Sequence, residues 1–203
     1  IQGIYTLFDA KTLTPLAQCD GAALTLLRTS CVTAAMVQKL DLPENPKLVV
    51  FGSGPQAFAH ILAISAVSTP SGIRILARNT SGVEKLIVEL RSHGIEAAAG
   101  STKDLTEADL VITATTAREP LFAAEQVQKT AIVAAIGSHE PNARELPGNL
   151  MGIGTVFIED QSAALREAGD VIMAINEGFV AVEDRVEVKK LFTVKPKIDS
   201  RSP

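Results

Sequence analysis

From about residue 47 onward, short aliphatic runs bounded by Gly, Asn and charged positions alternate with longer stretches in which apolar residues return every third or fourth place. That alternation predicts a parallel sheet with both faces covered by helices. Strands are expected at 48–51, 73–77, 95–98, 110–113, 131–136 and 156–158. Helices are expected at 55–67, 82–92, 161–168 and 170–176, the second closed by His93-Gly94, a natural stop. Upstream, residues 1–20 alternate loosely around the turn-like Asp9-Ala10-Lys11-Thr12, which predicts a β-hairpin. Residues 21–40 carry Leu24, Leu27, Cys31 and Ala34 at helical spacing, with no break before Asp41-Leu42-Pro43, and predict one long helix. The lysine-bearing tail from Val186 is expected to fray. The chain therefore divides into a hairpin and helix over 1–42, a doubly wound α/β domain over 43–178 and a tail over 179–203.

Composition narrows the partners. The chain has 203 residues, 46% hydrophobic and 21% charged, with a net charge of −4. It has no basic cluster of the kind that holds a protein on nucleic acid or anionic lipid. Apolar runs such as 131–136 end far short of the roughly 20 residues that cross a bilayer. With 4% aromatic residues and no Trp, the core must be aliphatic. Cys19 and Cys31 are too few for a disulfide framework and too isolated for a metal site, so they read as reduced thiols of a cytoplasmic protein. The start, Ile1-Gln2-Gly3-Ile4-Tyr5, has no signal-peptide pattern and no Met, so a processed chain or one cut from something longer is expected.

Directly after the strand ending at Phe51 comes Gly52-Ser53-Gly54-Pro55-Gln56-Ala57, a G-x-G-x-x-A pattern that opens a helix. A Gly-rich turn can be only a turn; the strand before and helix after give this one the context of a dinucleotide fingerprint and a Rossmann-type sheet. Gly52 permits the tight turn, Gly54 lets a pyrophosphate approach the backbone, and Ala57 allows close helix–strand packing. Pro55 suits the first helical turn, where its missing N–H is not needed. The helix N-terminus then offers amides and the positive end of its dipole to phosphates.

The next strand ends in Arg78-Asn79-Thr80 rather than in an acid. An acid there would hold ribose hydroxyls, as in NAD sites and in methyltransferases that bind S-adenosylmethionine. An arginine instead suits a 2′-phosphate, with Asn79 or Thr80 as further donors, so NADP(H) is favoured over NAD(H). The other reading of Arg78 is a solvated surface side chain. Thr113 and Thr115, at the carboxyl end of the fourth predicted strand, are placed to face the ligand crevice, although threonine also simply favours strands.

Several blocks together resemble the ornithine cyclodeaminase/mu-crystallin family. They are Asp20-Gly21-Ala22 leading to Leu27-Arg28-Thr29-Ser30, the Phe51–Ala57 fingerprint, Thr113-Ala114-Thr115 with Glu119-Pro120, and Ile136-Gly137-Ser138-His139-Glu140-Pro141 running to Arg144-Glu145-Leu146. Ile158-Glu159-Asp160 with Glu167-Ala168-Gly169-Asp170 completes the match, from Phe8 to about Gly178. The resemblance implies an NAD(P)H-dependent oxidoreductase that moves a hydride at the carbon bearing nitrogen in an amino acid or cyclic imine. It implies that Gly54, Pro55, Gln56 and Ala57 hold pyrophosphate, that Arg78 and Asn79 hold the ribose end, and that Thr113, Thr115, Ala135, Ile136 and Gly137 line the nicotinamide. Arg28 matches a family arginine that reaches either the cofactor phosphates or the substrate carboxylate, and a homodimer is implied.

Two departures qualify what the resemblance implies. His139 stands where the cyclodeaminase has a proton-transferring aspartate, so His139 is either a general acid/base or a loop histidine without a catalytic role. The family places a further segment before the hairpin, and residues 1–42 and 179–203 are expected to be remnants of a substrate and dimerisation domain to which that segment belongs. Two further activities stay open: a cyclodeaminase in which His139 replaces the acid, and a non-catalytic protein that binds NADPH or a small carboxylate.

Overall fold

A computed structural model describes residues 2–193. Strands β1 (Ile4–Phe8) and β2 (Pro15–Asp20) form an antiparallel hairpin. Its turn is held by Asp9 Oδ1, which accepts from the backbone N–H of Lys11 at 3.0 Å and of Thr12 at 2.7 Å. Helix α1 (Gly21–Val37) starts where Asp20 accepts from Ala23 N–H at 2.9 Å. It stops at Val37 rather than running to residue 40, because the N–H groups of Lys39 and Leu40 turn back to the carbonyls of Met36 and Val37.

The central sheet is built from β3 (Lys47–Phe51), β4 (Gly72–Leu76), β5 (Ala98–Ala99), β6 (Leu110–Thr113) and β7 (Ile132–Ala135). All pairings are parallel and the spatial order is β5-β4-β3-β6-β7. Helices α2 (Pro55–Val67) and α3 (Thr80–Ser92) make the first crossovers. The doubly wound α/β architecture expected from the sequence is therefore present. Chain order reverses at β3, with β4 and β5 to one side and β6 and β7 to the other. The crevice outside the carboxyl ends of β3 and β6 is thus the topological switch point.

One apolar cluster joins Leu48 and Val50 of β3 and Leu110 and Ile112 of β6 to Ala57, Ile61 and Ile64 of α2, and includes Ala34 and Val37 of α1. The second half of α1 therefore shares the core of the sheet. On the opposite face Val49, Phe51 and Val111 gather with Leu105, Phe122 and Leu146. The hairpin contrasts with this, since Ile4, Tyr5, Leu7, Phe8 and Leu16 are all exposed.

The carboxyl-terminal third departs from expectation. It runs through α4 (Gly148–Met151), β8 (Phe157–Ile158), α5 (Gln161–Glu167), α6 (Gly169–Asn176), β9 (Val186–Glu187) and α7 (Lys189–Thr193). The segment predicted as a sixth sheet strand, 156–158, pairs with β9 in a separate two-stranded parallel sheet. The carbonyls of Val156 and Ile158 accept from the N–H groups of Val186 and Val188 at 2.9 and 2.7 Å. The same pairing corrects the expectation of fraying from Val186, since Val188 and Leu191 are buried there. The rest of that expectation, from residue 194, lies outside the described residues. The strand predicted at 95–98 contracts to Ala98–Ala99, because Ile95 N–H is spent on Leu90 O at 3.0 Å in closing α3. Among the described residues no helix is long and apolar enough to cross a membrane.

Candidate functional site

The turn from β3 into α2 has the geometry its glycines suggest. Gly52 has φ +114°, and a Cβ there would lie 2.4 Å from the Ala114 carbonyl oxygen just past β6. Its N–H donates to Leu76 O, the last residue of β4, at 2.8 Å. Gly52 is thus clasped between the strands on either side of the switch point, where only glycine fits. Gly54 is the opposite case, since a Cβ there would meet nothing within 4 Å. It caps α2 without any side-chain hydrogen bond to the first-turn amides, and Pro55 opens the helix. The N–H groups of Gln56 and Ala57 therefore stand at a helix N-terminus with no side chain capping them and open ground at Gly54, a cradle suited to an anion. Ala57 is fully buried beneath.

Two polar groups lie behind this turn: Gln56, expected from the resemblance to help hold pyrophosphate, and His60, for which the sequence carries no prediction. Gln56 Oε1 is buried without a hydrogen-bond partner among the described residues. His60, also buried, has Nδ1 2.8 Å from Gln56 O and Nε2 3.2 Å from Thr33 Oγ1 of α1. A carbonyl only accepts, so Nδ1 carries the proton and Nε2 is the acceptor side of the ring, sharing the single Thr33 hydroxyl proton with Thr29 O at 3.3 Å. Burial pushes the His60 pKa below its ordinary value, which favours this neutral form. The sequence signal available was one histidine on the inner face of an otherwise apolar helix.

On the β4 side, Arg78 is exposed immediately beyond the strand. Asn79 caps α3: its Oδ1 accepts from Ser81 Oγ at 2.8 Å and from Gly82 N–H at 3.3 Å, and Thr80 begins the helix. A Cβ on Gly82 would lie 2.6 Å from Ser53 Oγ, so the start of α3 touches the fingerprint turn. The structure thereby gathers Gly52, Gly54, Pro55, Gln56 and Ala57 with Arg78, Asn79 and Thr80 along one end of the sheet.

On the other side a buried carboxylate dominates. Glu145 is fully buried. Its Oε1 accepts from Thr115 N–H and Thr115 Oγ1, both at 2.7 Å, and its Oε2 from Gly137 N–H at 2.7 Å and Thr113 Oγ1 at 2.9 Å. Thr113, expected to face the crevice, is instead fully buried, and both threonine hydroxyls are turned to this carboxylate. The N–H groups of Glu145 and Leu146 in turn donate to Asp170 Oδ1 at 2.8 Å each. Burial raises the Asp170 pKa above the ordinary carboxylate value, and the nearby Glu145 charge acts in the same direction. In sequence Glu145 lies between Arg144 and Leu146 in a loop, and nothing local distinguishes it from a surface acid.

Ala135 is exposed at the end of β7, and Ile136 is half-buried against the core. Gly137 tolerates nothing larger, since a Cβ there would lie 2.0 Å from Thr115 O. His139 is exposed, with Nδ1 2.9 Å from Gly137 O. That contact puts a proton on Nδ1 and leaves the lone pair of the neutral ring on Nε2. Arg28, on the exposed side of α1, forms a two-point ion pair with Glu159 just beyond β8, with Nη1 to Oε1 at 3.2 Å and Nη2 to Oε2.

Known proteins share this arrangement of elements. The model of the ornithine cyclodeaminase/mu-crystallin family matches residues 1–195. The mouse (Mus musculus) protein ketimine reductase mu-crystallin is 30% identical over 173 residues, 85% of this chain and 55% of its own length. A Delta(1)-pyrroline-2-carboxylate reductase of Bacillus cereus is 30% identical over 188 residues, 91% of this chain and 58% of its own. The chain thus spans little more than half the length of these relatives. Among solved structures, Thermococcus litoralis Delta(1)-pyrroline-2-carboxylate reductase in complex with NADH and L-proline superposes with a TM-score of 0.87 at 24% identity. The match covers 95% of this chain and 61% of that one, and it establishes the common fold.

Proposed function

The chain belongs to the ornithine cyclodeaminase/mu-crystallin family, and from that premise we propose that it is the nucleotide-binding part of an NAD(P)H-dependent oxidoreductase. The reaction is hydride transfer at the carbon–nitrogen bond of an amino acid or cyclic imine. The observation that carries it is the fingerprint turn: Gly52 at φ +114° against Ala114, Gly54 open, and the first amides of α2 uncapped. These features receive a pyrophosphate at the switch point of a doubly wound sheet. The names of the relatives, a ketimine reductase and a pyrroline-2-carboxylate reductase, support reduction of an imine that carries a carboxylate.

Residue by residue, Gly52, Gly54, Pro55, Gln56 and Ala57 form the pyrophosphate cradle. Exposed Arg78, with Asn79 and Thr80, meets the ribose end and selects NADP(H) by a charge-assisted bond to the 2′-phosphate. Thr115, Ala135, Ile136 and Gly137 border the nicotinamide end through their backbone. When bound, the nicotinamide supplies the hydride. His139, whose Nε2 is left by the Gly137 contact with a lone pair that can take up a proton from solvent, passes that proton to the nitrogen being reduced. Arg28 anchors a carboxylate or phosphate oxygen, exchanging Glu159 for that anion. The reading includes a cytoplasmic homodimer in which residues 1–42 and 179–203 contribute to a second, substrate-binding domain.

The test is reduction of a cyclic imine carboxylate by the full-length protein, followed as loss of NADPH absorbance. Turnover is expected, and His139→Ala should lower kcat by about a hundredfold. Nucleotide binding without turnover of any imine or amino acid would mean that the protein only binds, and release of ammonia from ornithine would mean a cyclodeaminase.

A further inference from the structure

The feature that the site residues leave unexplained is Glu145. A carboxylate removed from water needs compensation, and among the described residues no arginine or lysine side chain bonds to this one. Instead the two oxygens share four donors from residues of two different strand ends: Thr113 and Thr115 at β6, and Gly137 at β7. Two of the donors are backbone N–H groups, which cannot rotate away. The chain makes the arrangement rigid on its far side as well. Asp170, at the start of α6, accepts from Glu145 N–H and Leu146 N–H and donates its own N–H to Ser138 Oγ at 3.3 Å. Ser138 Oγ closes the loop by donating to Ala143 O at 2.8 Å. The loop bearing His139 is therefore tied at both ends to one buried carboxylate pair.

By the order of the sheet, the residues following β6 and β7 border the half of the crevice opposite Arg78. From this geometry we infer that Glu145 is a positioning residue. It clamps the loops after β6 and β7 in the one shape that receives the nicotinamide end of the nucleotide and presents His139, while the adenosine end depends on other residues. The inference rests on the nucleotide reading above and adds to it a division of labour within the crevice. Gly137 shows how little slack the clamp leaves, since an added Cβ would lie 2.8 Å from the Glu145 carboxyl carbon.

Glu145→Gln is the sharp test because it keeps the shape and removes the fit. Each carboxylate oxygen meets one fixed backbone N–H, so whichever way the amide turns, its NH2 opposes either Thr115 N–H or Gly137 N–H. Thr115→Val, which replaces one donating hydroxyl with a methyl group and also removes the acceptor of Ala117 N–H, leaves the other three Glu145 bonds in place and is the companion should the glutamine variant fold poorly. Affinity is measured by calorimetry for NADPH and for 2′-phospho-ADP-ribose, which lacks the nicotinamide. Glu145→Gln is expected to weaken NADPH by about tenfold, and Thr115→Val by less, with 2′-phospho-ADP-ribose unchanged for both. A role confined to overall stability would lower the unfolding temperature and move both ligands together. Equal weakening of both ligands, or of neither, overturns the clamp while leaving the nucleotide site standing. If the unsubstituted protein binds neither ligand, the nucleotide reading itself is wrong and the clamp falls with it.

Discussion

Thr33 Oγ1 lies 3.2 Å from His60 Nε2, a hydrogen bond between buried side chains that ties α1 to the helix carrying the fingerprint. Burial lowers the His60 pKa from its ordinary 6.5. The unfolded chain therefore binds a proton at a higher pH than the folded one, and stability is lost as pH falls through 6.5 toward the folded value. The slope from this one group is at most about 1.4 kcal/mol per pH unit. Unfolding temperature followed from about pH 7 down to about pH 5 should fall more steeply in the unsubstituted protein than in His60→Gln. Parallel curves would show that the imidazole is not a significant contributor.

Gly52→Ala meets two obstacles at once, a left-handed backbone and a carbonyl oxygen 2.4 Å from the new methyl. A non-glycine residue held there costs on the order of 1–3 kcal/mol, and relief of the contact must separate the ends of β3 and β6. The expected outcome is a lowered denaturant midpoint together with loss of NADPH binding. A variant that kept both would mean that the turn is more yielding than its geometry indicates. Gly54→Ala is the control, because its Cβ meets nothing within 4 Å. It should leave stability nearly unchanged while obstructing the phosphate.

Arg28 and Glu159 are both about half exposed, 58% and 46% by side chain, and such an ion pair contributes at most about 1 kcal/mol. Arg28→Ala should accordingly have little effect on the unfolding midpoint. If the guanidinium anchors an anion of the substrate or cofactor, the same change should raise the corresponding KM by about tenfold or more. Glu159→Gln, which releases the arginine, should not raise it. A large stability loss with unchanged KM would make the pair purely structural.

Much of the crevice was legible in the sequence because its determinants are local. The turn after β3 needs glycine at fixed places, and strand, turn and helix follow one another without a gap, so Gly52 through Ala57 and the run of α2 could be read directly. The apolar runs of β6 and β7 were equally plain. What escaped depends on partners distant in the chain. Residues 156–158 have a strand's composition, but only β9, nearly thirty residues on, decides which sheet they join. Ile95 looks like a strand residue and is spent on closing α3. Glu145 reads as an ordinary loop acid until Thr113, Thr115 and Gly137 are brought around it. Thr113 stands at the strand end that the sequence predicts, yet the direction of its hydroxyl is set by that carboxylate, thirty-two residues on.

The most direct measurement is a pair of fluorescence titrations, with NADPH and with NADH, on the unsubstituted protein and on Arg78→Asp. The expected result is saturable binding of both nucleotides, NADPH the tighter by about tenfold or more, with that preference abolished or reversed in the variant. Equal affinities insensitive to Arg78→Asp would contradict selection of the 2′-phosphate by Arg78. Absence of binding for both nucleotides would contradict the assignment of the β3–α2 turn as a nicotinamide-nucleotide site.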